Sequence, residues 1–146
     1  MRLVIQRVKG ASVTIQNNYS AQIKEGLICY VAFCSTDSTL DYEWSINKIS
    51  KMKIFKNNMS LIDSNGQLLI VSQFTLFASL KKGNKPSFSK AANPVLAKKL
   101  YNDFLTLCNE KLNTTIIKTG VFGAHMKVES INDGPFTLCL DTKKRE

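Results

Sequence analysis

Leu68-Leu69-Ile70-Val71-Ser72-Gln73-Phe74-Thr75-Leu76 is the stretch whose reading decides the fold. Four branched apolar residues in a row read as a strand buried on both faces, and a sheet built of such strands is a rigid platform. The run then turns polar at Ser72, Gln73 and Thr75. Two readings of that end stand side by side. It is a half-exposed strand end whose polar groups bond water or a neighbouring strand, or it gathers hydroxyl, amide and main-chain donors fixed in advance, as ester or amide chemistry needs for an oxyanion.

Working outward, Gly26 to Cys34 is a second strand apolar on both faces. Met59 to Ile62 and Leu68 to Phe74 flank Asp63-Ser64-Asn65-Gly66, and this turn signal predicts a hairpin leading into the central strand. Leu3 to Val8 and Ala11 to Gln16 are separated by Lys9-Gly10, and Val13 and Ile15 alternate with Ser12, Thr14 and Gln16, which predicts a second hairpin with one wet face. Asn17-Asn18 predicts a turn. Arg7 interrupts the first run: it either snorkels to solvent or uses its planar fork of donors to clamp loop carbonyls.

Two helices are predicted. Ser38 with Asp41 three residues later reads as a capping box, with Leu40, Trp44, Ile46 and Ile49 on the buried side of a helix ending near Lys51. Asn93 caps and Pro94 opens the other, where Leu96, Leu100, Phe104 and Leu107 recur at helical spacing as a core stripe. Lys81 to Ser89, with Gly83, Asn84 and Pro86, is irregular. Thr115 to Thr119, Met126 to Ile131 and Phe136 to Leu140 read as closing strands. Because two helices cover only one face of so many strands, another layer of sheet is expected on the other face. The fold class is therefore α/β, a three-layer α/β/β arrangement in one domain spanning residues 1–146.

The chain of 146 residues carries 20 Lys and Arg against 11 acidic residues, a formal net charge of +9. Such an excess favours a polyanionic partner, although lysine-rich surfaces also serve solubility. The distribution is uneven: Lys81, Lys82, Lys85 and Lys90 crowd one loop, Lys98 and Lys99 follow, and Lys143, Lys144 and Arg145 lie at the end. The longest apolar run is too short to cross a bilayer and no signal peptide is evident, so a soluble cytoplasmic protein is expected. Cys29, Cys34, Cys108 and Cys139 form no Cys-x-x-Cys pair and read as small core residues in a reducing compartment. With a single histidine, His125, read as a surface or packing residue, no metal site is expected.

Asn132-Asp133-Gly134-Pro135-Phe136-Thr137 is a second polar constellation, read as an ordinary turn between the last two strands. Alternatively, a cis bond at Gly134-Pro135 redirects the preceding carbonyl and presents bare main chain for recognising a small polar group.

Ser72-Gln73-Phe74-Thr75-Leu76 and Asn132-Asp133-Gly134-Pro135-Phe136-Thr137 together resemble the motif pair of the D-aminoacyl-tRNA deacylases. The resemblance extends to Ile5-Gln6-Arg7-Val8, Pro86-Ser87-Phe88 and Thr119-Gly120-Val121-Phe122-Gly123-Ala124-His125-Met126, in the family's order. Lys85 stands where the family often has arginine, which leaves a phosphate charge contact in place of a bidentate one. The stretch around Lys56 to Ser60 is shorter than usual in the family.

The resemblance implies a homodimer that hydrolyses the ester between a D-amino acid and tRNA, and glycine mischarged on alanine tRNA, without a cofactor. Neither a membrane nor DNA is an implied partner. Ser72, Gln73, Phe74 and Thr75 would form the catalytic stretch. Gly134 and Pro135, from the partner subunit, would reject L-amino acids, supported by Arg7 and Asn132. Phe122, Gly123 and Met126 would line the pocket, and Lys81, Lys82 and Lys85 would meet tRNA phosphates. Water assisted by the substrate's ribose hydroxyl is preferred as the attacking group over Thr75 as a covalent nucleophile, because no residue is an evident base for a threonine hydroxyl. A non-catalytic RNA-binding module and a small-molecule esterase are the rival classes.

Overall fold

The three-dimensional arrangement is that of a computed structural model, which describes residues 1–15 and 19–145, at residues 19–20 through their backbone alone. The turn expected at Asn17-Asn18 lies outside the described residues. Eight regular elements follow in chain order: β1 (Arg2–Ile15), β2 (Tyr19–Ile23), β3 (Gly26–Ala32), α1 (Thr39–Lys51), β4 (Gln67–Ser72), α2 (Pro94–Lys111), β5 (Ile117–Thr119) and β6 (Lys127–Asp141). The strands form one mixed sheet in the order β2-β1-β3-β4-β5, with β6 on the other edge of β1.

β4 is parallel to both β3 and β5 and lies between them. Its side chains divide by parity, as a two-residue period requires. Leu68 and Ile70 enter the core under the helices, with Leu27, Cys29 and Val31 of β3. Leu69 and Val71 enter a second core with Ile28. Burial on both faces is the continuous apolar run made visible.

The second core exists because β1 bends. Leu3 and Ile5 belong to the helix-side core, whereas Val8, Ala11 and Val13 belong to the other. The switch falls on the odd step from Ile5 to Val8, where the pairing of β1 with β6 shifts register. An extra residue in a ladder turns the strand and changes which face it presents. Beyond the bend β1 pairs with β2 instead of β3, and β2 packs against β4 and β5. That fold-over supplies the expected second sheet layer.

α1 and α2 cover the remaining face. Ser38 and Asp41 form the expected capping box, and the Asn93 carbonyl Oδ1 accepts from the Leu96 amide at 2.9 Å. Phe104, at the middle of α2, is fully buried and meets Phe33 and Tyr42 edge-on. In α1 Ile46 and Ile49 are buried as expected, whereas Leu40 is 68% exposed and Trp44 half-buried, and Tyr42 fills the core in their place. Among the described residues no helix is long and apolar enough to cross a membrane.

Three expected hairpins are different structures. Lys9-Gly10 is no hairpin: β1 continues through it as one bent strand, because β6 pairs with both Val8 and Gly10 along one edge while β3 ends at Val8 and β2 begins at Ala11 on the other. Residues 59–62 are not a strand. They enter a turn held by Gly66 N to Leu61 O at 3.0 Å, and the parallel pairing of β4 with β3 excludes a hairpin. Asn132 to Thr137 lies inside the continuous strand β6, not between two strands. The central strand is also shorter than expected, since residues 74–77 form a 3-10 turn. Of the cysteines, Cys29 and Cys108 are buried as expected, but Cys34 is half-exposed and Cys139 exposed.

Candidate active site

The end of β4 opens into a cleft of about 730 Å³. Ladder pairing ceases at Ser72, Gln73 is anchored by its amide to the Val31 carbonyl at 2.8 Å, and the chain turns into the 3-10 segment. Leu76 N, bonded to Gln73 O at 3.1 Å, is the first amide satisfied within that turn. The amides of Phe74 and Thr75 therefore have no acceptor inside it, as at any helix start. Ser72, Gln73 and Phe74 line the cleft.

The opposite wall comes from the segment between β5 and β6. Phe122, Gly123 and Met126 line it, and Phe122 rests on Tyr101 of α2 with ring centroids 5.5 Å apart. Gly123 has φ +75°, a conformation that L side chains rarely adopt. A methyl added at Gly120 would meet Met126 Sδ at 2.5 Å, so the bare glycine is what lets the methionine lie where it does. The third side comes from the basic loop and the start of α2. Phe88 packs edge-on against Phe74 at 4.9 Å, and Asn93 and Pro94 complete the lining.

Three features of this wall were not anticipated. Phe88 of the motif, the cap Asn93 and the first helical residue Pro94 are each also cleft residues. His125 is exposed and lines the cleft, where it is the one titratable side chain among the described lining residues. Thr75 is exposed beside the cleft but does not line it, and its hydroxyl is hydrogen-bonded by Gln73 Nε2. No signal in the pattern of residues separates Thr75 from Ser72 in this respect; the 3-10 turn does.

Gly134 and Pro135 are exposed and do not line the cleft of their own chain. The peptide bond between them is cis. Asn132 stands opposite Val8 and Thr137 opposite Gln6, so residues 133–136 of β6 face the single residue Arg7. Arg7 organises this bulge. Its Nε donates to the Asp133 carbonyl at 3.1 Å, its Nη2 to the Gly134 carbonyl at 2.9 Å and its Nη1 to the Ile54 carbonyl. The guanidinium lies over the Phe136 ring, 4.7 Å from its centroid. Its side chain is only 12% exposed, so of the two readings for this arginine the geometry is that of the clamp. Asn132 Nδ2 secures the base of the bulge by donating to the Arg7 carbonyl at 3.0 Å.

The lysines separate into two groups. Lys81, Lys82 and Lys85 are exposed on the loop that carries Phe88 into the cleft. Lys143 is engaged internally: its Nζ donates to the Thr36 carbonyl and Asp41 Oδ2, both at 2.8 Å, and lies 3.4 Å from Asp37. Arg145 lies over the Trp44 ring. These two end-of-chain cations serve the fold around α1. Burial pushes the Asp41 carboxyl upward, but hydrogen bonds from Lys143, Thr142 and the Ser38 amide prevail and hold it well below the usual carboxylate range.

A family model described as D-Tyr-tRNA(Tyr) deacylase matches residues 4–141. The D-aminoacyl-tRNA deacylase of Cytophaga hutchinsonii is 50% identical over 151 residues, and that of Bacteroides fragilis 46% identical over 154, each match covering 100% of both chains. A solved structure of the c-Myc DNA Unwinding Element Binding Protein superposes with a TM-score of 0.90 at 34% identity, over 97% of this chain and 98% of that one. One of a probable eukaryotic D-amino acid tRNA deacylase superposes at 0.81, over 95% and 97%, and at 18% identity that likeness is one of fold.

Proposed function

The chain belongs to the D-Tyr-tRNA(Tyr) deacylase family, and from that premise we propose that it hydrolyses the ester joining a D-amino acid to tRNA, releasing both. The observation that carries the reading is the end of β4. There a buried platform delivers Ser72, Gln73 and Phe74 into a cleft beside two amides with no acceptor in their own turn. Fixed donors suit an aminoacyl ester, which is already activated and requires positioning and oxyanion stabilisation more than a strong nucleophile.

The attacking group is water, assisted by the vicinal ribose hydroxyl of the substrate. Thr75 Oγ1 accepts from an amide and has no basic group bonded to it, and a threonine hydroxyl without a base is a poor nucleophile. Water adds to the ester carbon, the oxyanion is held by main-chain donors, and the bond to the ribose oxygen breaks as that oxygen takes up a proton.

Selection of the enantiomer is assigned to Gly134 and Pro135 of a second copy of the chain. Both are exposed and lie outside the cleft of their own chain, which suits a role in another's. The Gly134 carbonyl would take the substrate amino group, leaving an L side chain no space. Glycine has nothing to exclude, so glycine mischarged on alanine tRNA is a substrate on the same reading. Lys81, Lys82 and Lys85 meet phosphates of the tRNA, and their loop borders the cleft through Phe88.

Incubation with D-tyrosyl-tRNA and L-tyrosyl-tRNA tests the reading. Release of D-tyrosine with the L ester spared is expected; a protein that protects both esters is an RNA-binding module, and one that cleaves both alike has no chiral selection. Thr75→Ala is expected to keep most of the rate. Loss of deacylation with folding and tRNA binding intact would make Thr75 the nucleophile. A tRNA ending in a ribose without the vicinal hydroxyl is expected to resist hydrolysis.

A further inference from the structure

Arg7 and Lys9 lie two residues apart in β1, and both reach the bulge of β6. They converge on one side chain. Asp133 Oδ2 lies 3.0 Å from Arg7 Nε and 3.7 Å from Lys9 Nζ, and Lys9 is paired in turn with Glu25. The result is a row of alternating charge, Glu25, Lys9, Asp133, Arg7, that begins in solvent and ends on the arginine. Arg7 Nε donates its hydrogen to the Asp133 carbonyl, and the carboxylate of the same residue sits beside that nitrogen as an ion pair. The hydrogen bond and the ion pair together restrain the rotation of the guanidinium, and Nη2 on the same rigid plane holds the Gly134 carbonyl at 2.9 Å. A planar group with five donors cannot turn about one contact without disturbing the others.

Resting on the reading of Gly134 given above, we propose that the Asp133 carboxylate is a positioning residue for enantiomer selection, acting through Arg7 and braced by Lys9. It touches no substrate. Its charge offsets the guanidinium, and the ion pair on Nε keeps the Gly134 carbonyl aimed in one direction. Without it Arg7 retains three carbonyls but loses its only acidic partner among the described residues, and the carbonyl it steers gains freedom. The gap that excludes an L side chain then widens.

The test uses the full chain and compares wild type with Asp133→Asn, Asp133→Ala and Lys9→Met. Initial rates on D-tyrosyl-tRNA and L-tyrosyl-tRNA are measured together with the thermal midpoint. Asp133→Asn keeps the size of the side chain and removes only the charge. The D-to-L ratio is expected to fall by roughly fivefold in both Asp133 variants, the upper end for an ion pair whose acidic side chain is 28% exposed. Lys9→Met is expected to lower it by only about twofold, as for an exposed ion pair. A purely structural role lowers the midpoint and the D rate with the ratio unchanged, and that result overturns the proposal, as does an unchanged ratio with no effect at all. If wild type itself fails to distinguish the enantiomers, the reading of Gly134 falls, and this is read from wild type alone.

Discussion

Replacing Arg7 by methionine keeps the stem that crosses β1 and removes every donor. Three carbonyls lose their partner, and they do not lose it equally. Ile54 is 7% exposed, so its carbonyl is left without water, at a cost of about 1–3 kcal/mol. Gly134 is exposed and Asp133 half-buried, so water replaces those bonds at about 0.5 kcal/mol each. Loss of the guanidinium over the Phe136 ring adds about 0.5–1 kcal/mol. The sum is about 2.5–5 kcal/mol, which for a chain of this length lowers the thermal midpoint by roughly 5–20 °C. The catalytic consequence is larger than the stability one, because the bulge would remain but its carbonyls would be unaimed. Thermal unfolding followed by circular dichroism and parallel initial rates on D- and L-tyrosyl-tRNA measure both. A midpoint within 2 °C of wild type (roughly the shift that corresponds to under 1 kcal/mol), with an undiminished D-to-L ratio, would refute the assignment of Arg7 as the clamp.

The remaining expectations concern separate parts of the molecule. Triple replacement of Lys81, Lys82 and Lys85 by alanine is expected to weaken tRNA binding and to flatten the dependence of log affinity on log salt by about 2–3, as three lost phosphate contacts require; an unchanged slope in filter binding removes the loop from the interface. Asp41→Asn is expected to lower the thermal midpoint at pH 7. Since the folded carboxyl titrates below its unfolded value of about 3.9, its contribution is present above that pH and lost as pH falls through the folded value, so the two proteins converge in acid. A gap that persists undiminished at low pH contradicts the ion-pair account. Gly120→Ala forces Met126 Sδ from its place and is expected to raise KM with little change in the midpoint, since a flexible thioether gives way more easily than backbone. An unaltered KM would mean that Met126 does not shape the bound state.

Much of the interior was legible because burial writes a periodic signal. The continuous run at residues 68–71 announces a strand with two dry faces, and Asn93-Pro94 with its stripe announces α2; both follow from local geometry. The same local logic misreads Lys9-Gly10 and Asn132 to Thr137. Glycine, asparagine and proline permit a turn without compelling one, and long-range ladders on β1 outweigh the preference. The parallel entry of β4 was equally hidden, since Asp63-Ser64-Asn65-Gly66 does form a turn, with Asn65 at φ +52°, but the chain enters it from a segment that is not a strand. At the site, the polar strand end and Arg7 were visible as residue types out of keeping with their apolar surroundings. Asp133 was not, because an aspartate before glycine and proline is what any turn contains, and only the fold brings it between two cations.

β6 runs for 15 residues, and among the described residues β1 is its one neighbour in the sheet, leaving the other edge without a ladder. A long open edge invites another chain to add itself as a further strand, and the usual safeguards are a proline or an irregularity within it. Pro135 has no amide hydrogen to offer, and residues 133–136 bow out of line beside it. The segment assigned to judging handedness thus also divides the open edge into two short halves, an interruption that discourages the addition of another strand. A variant that straightens this bow would therefore be exposed to self-association even where its chemistry survived.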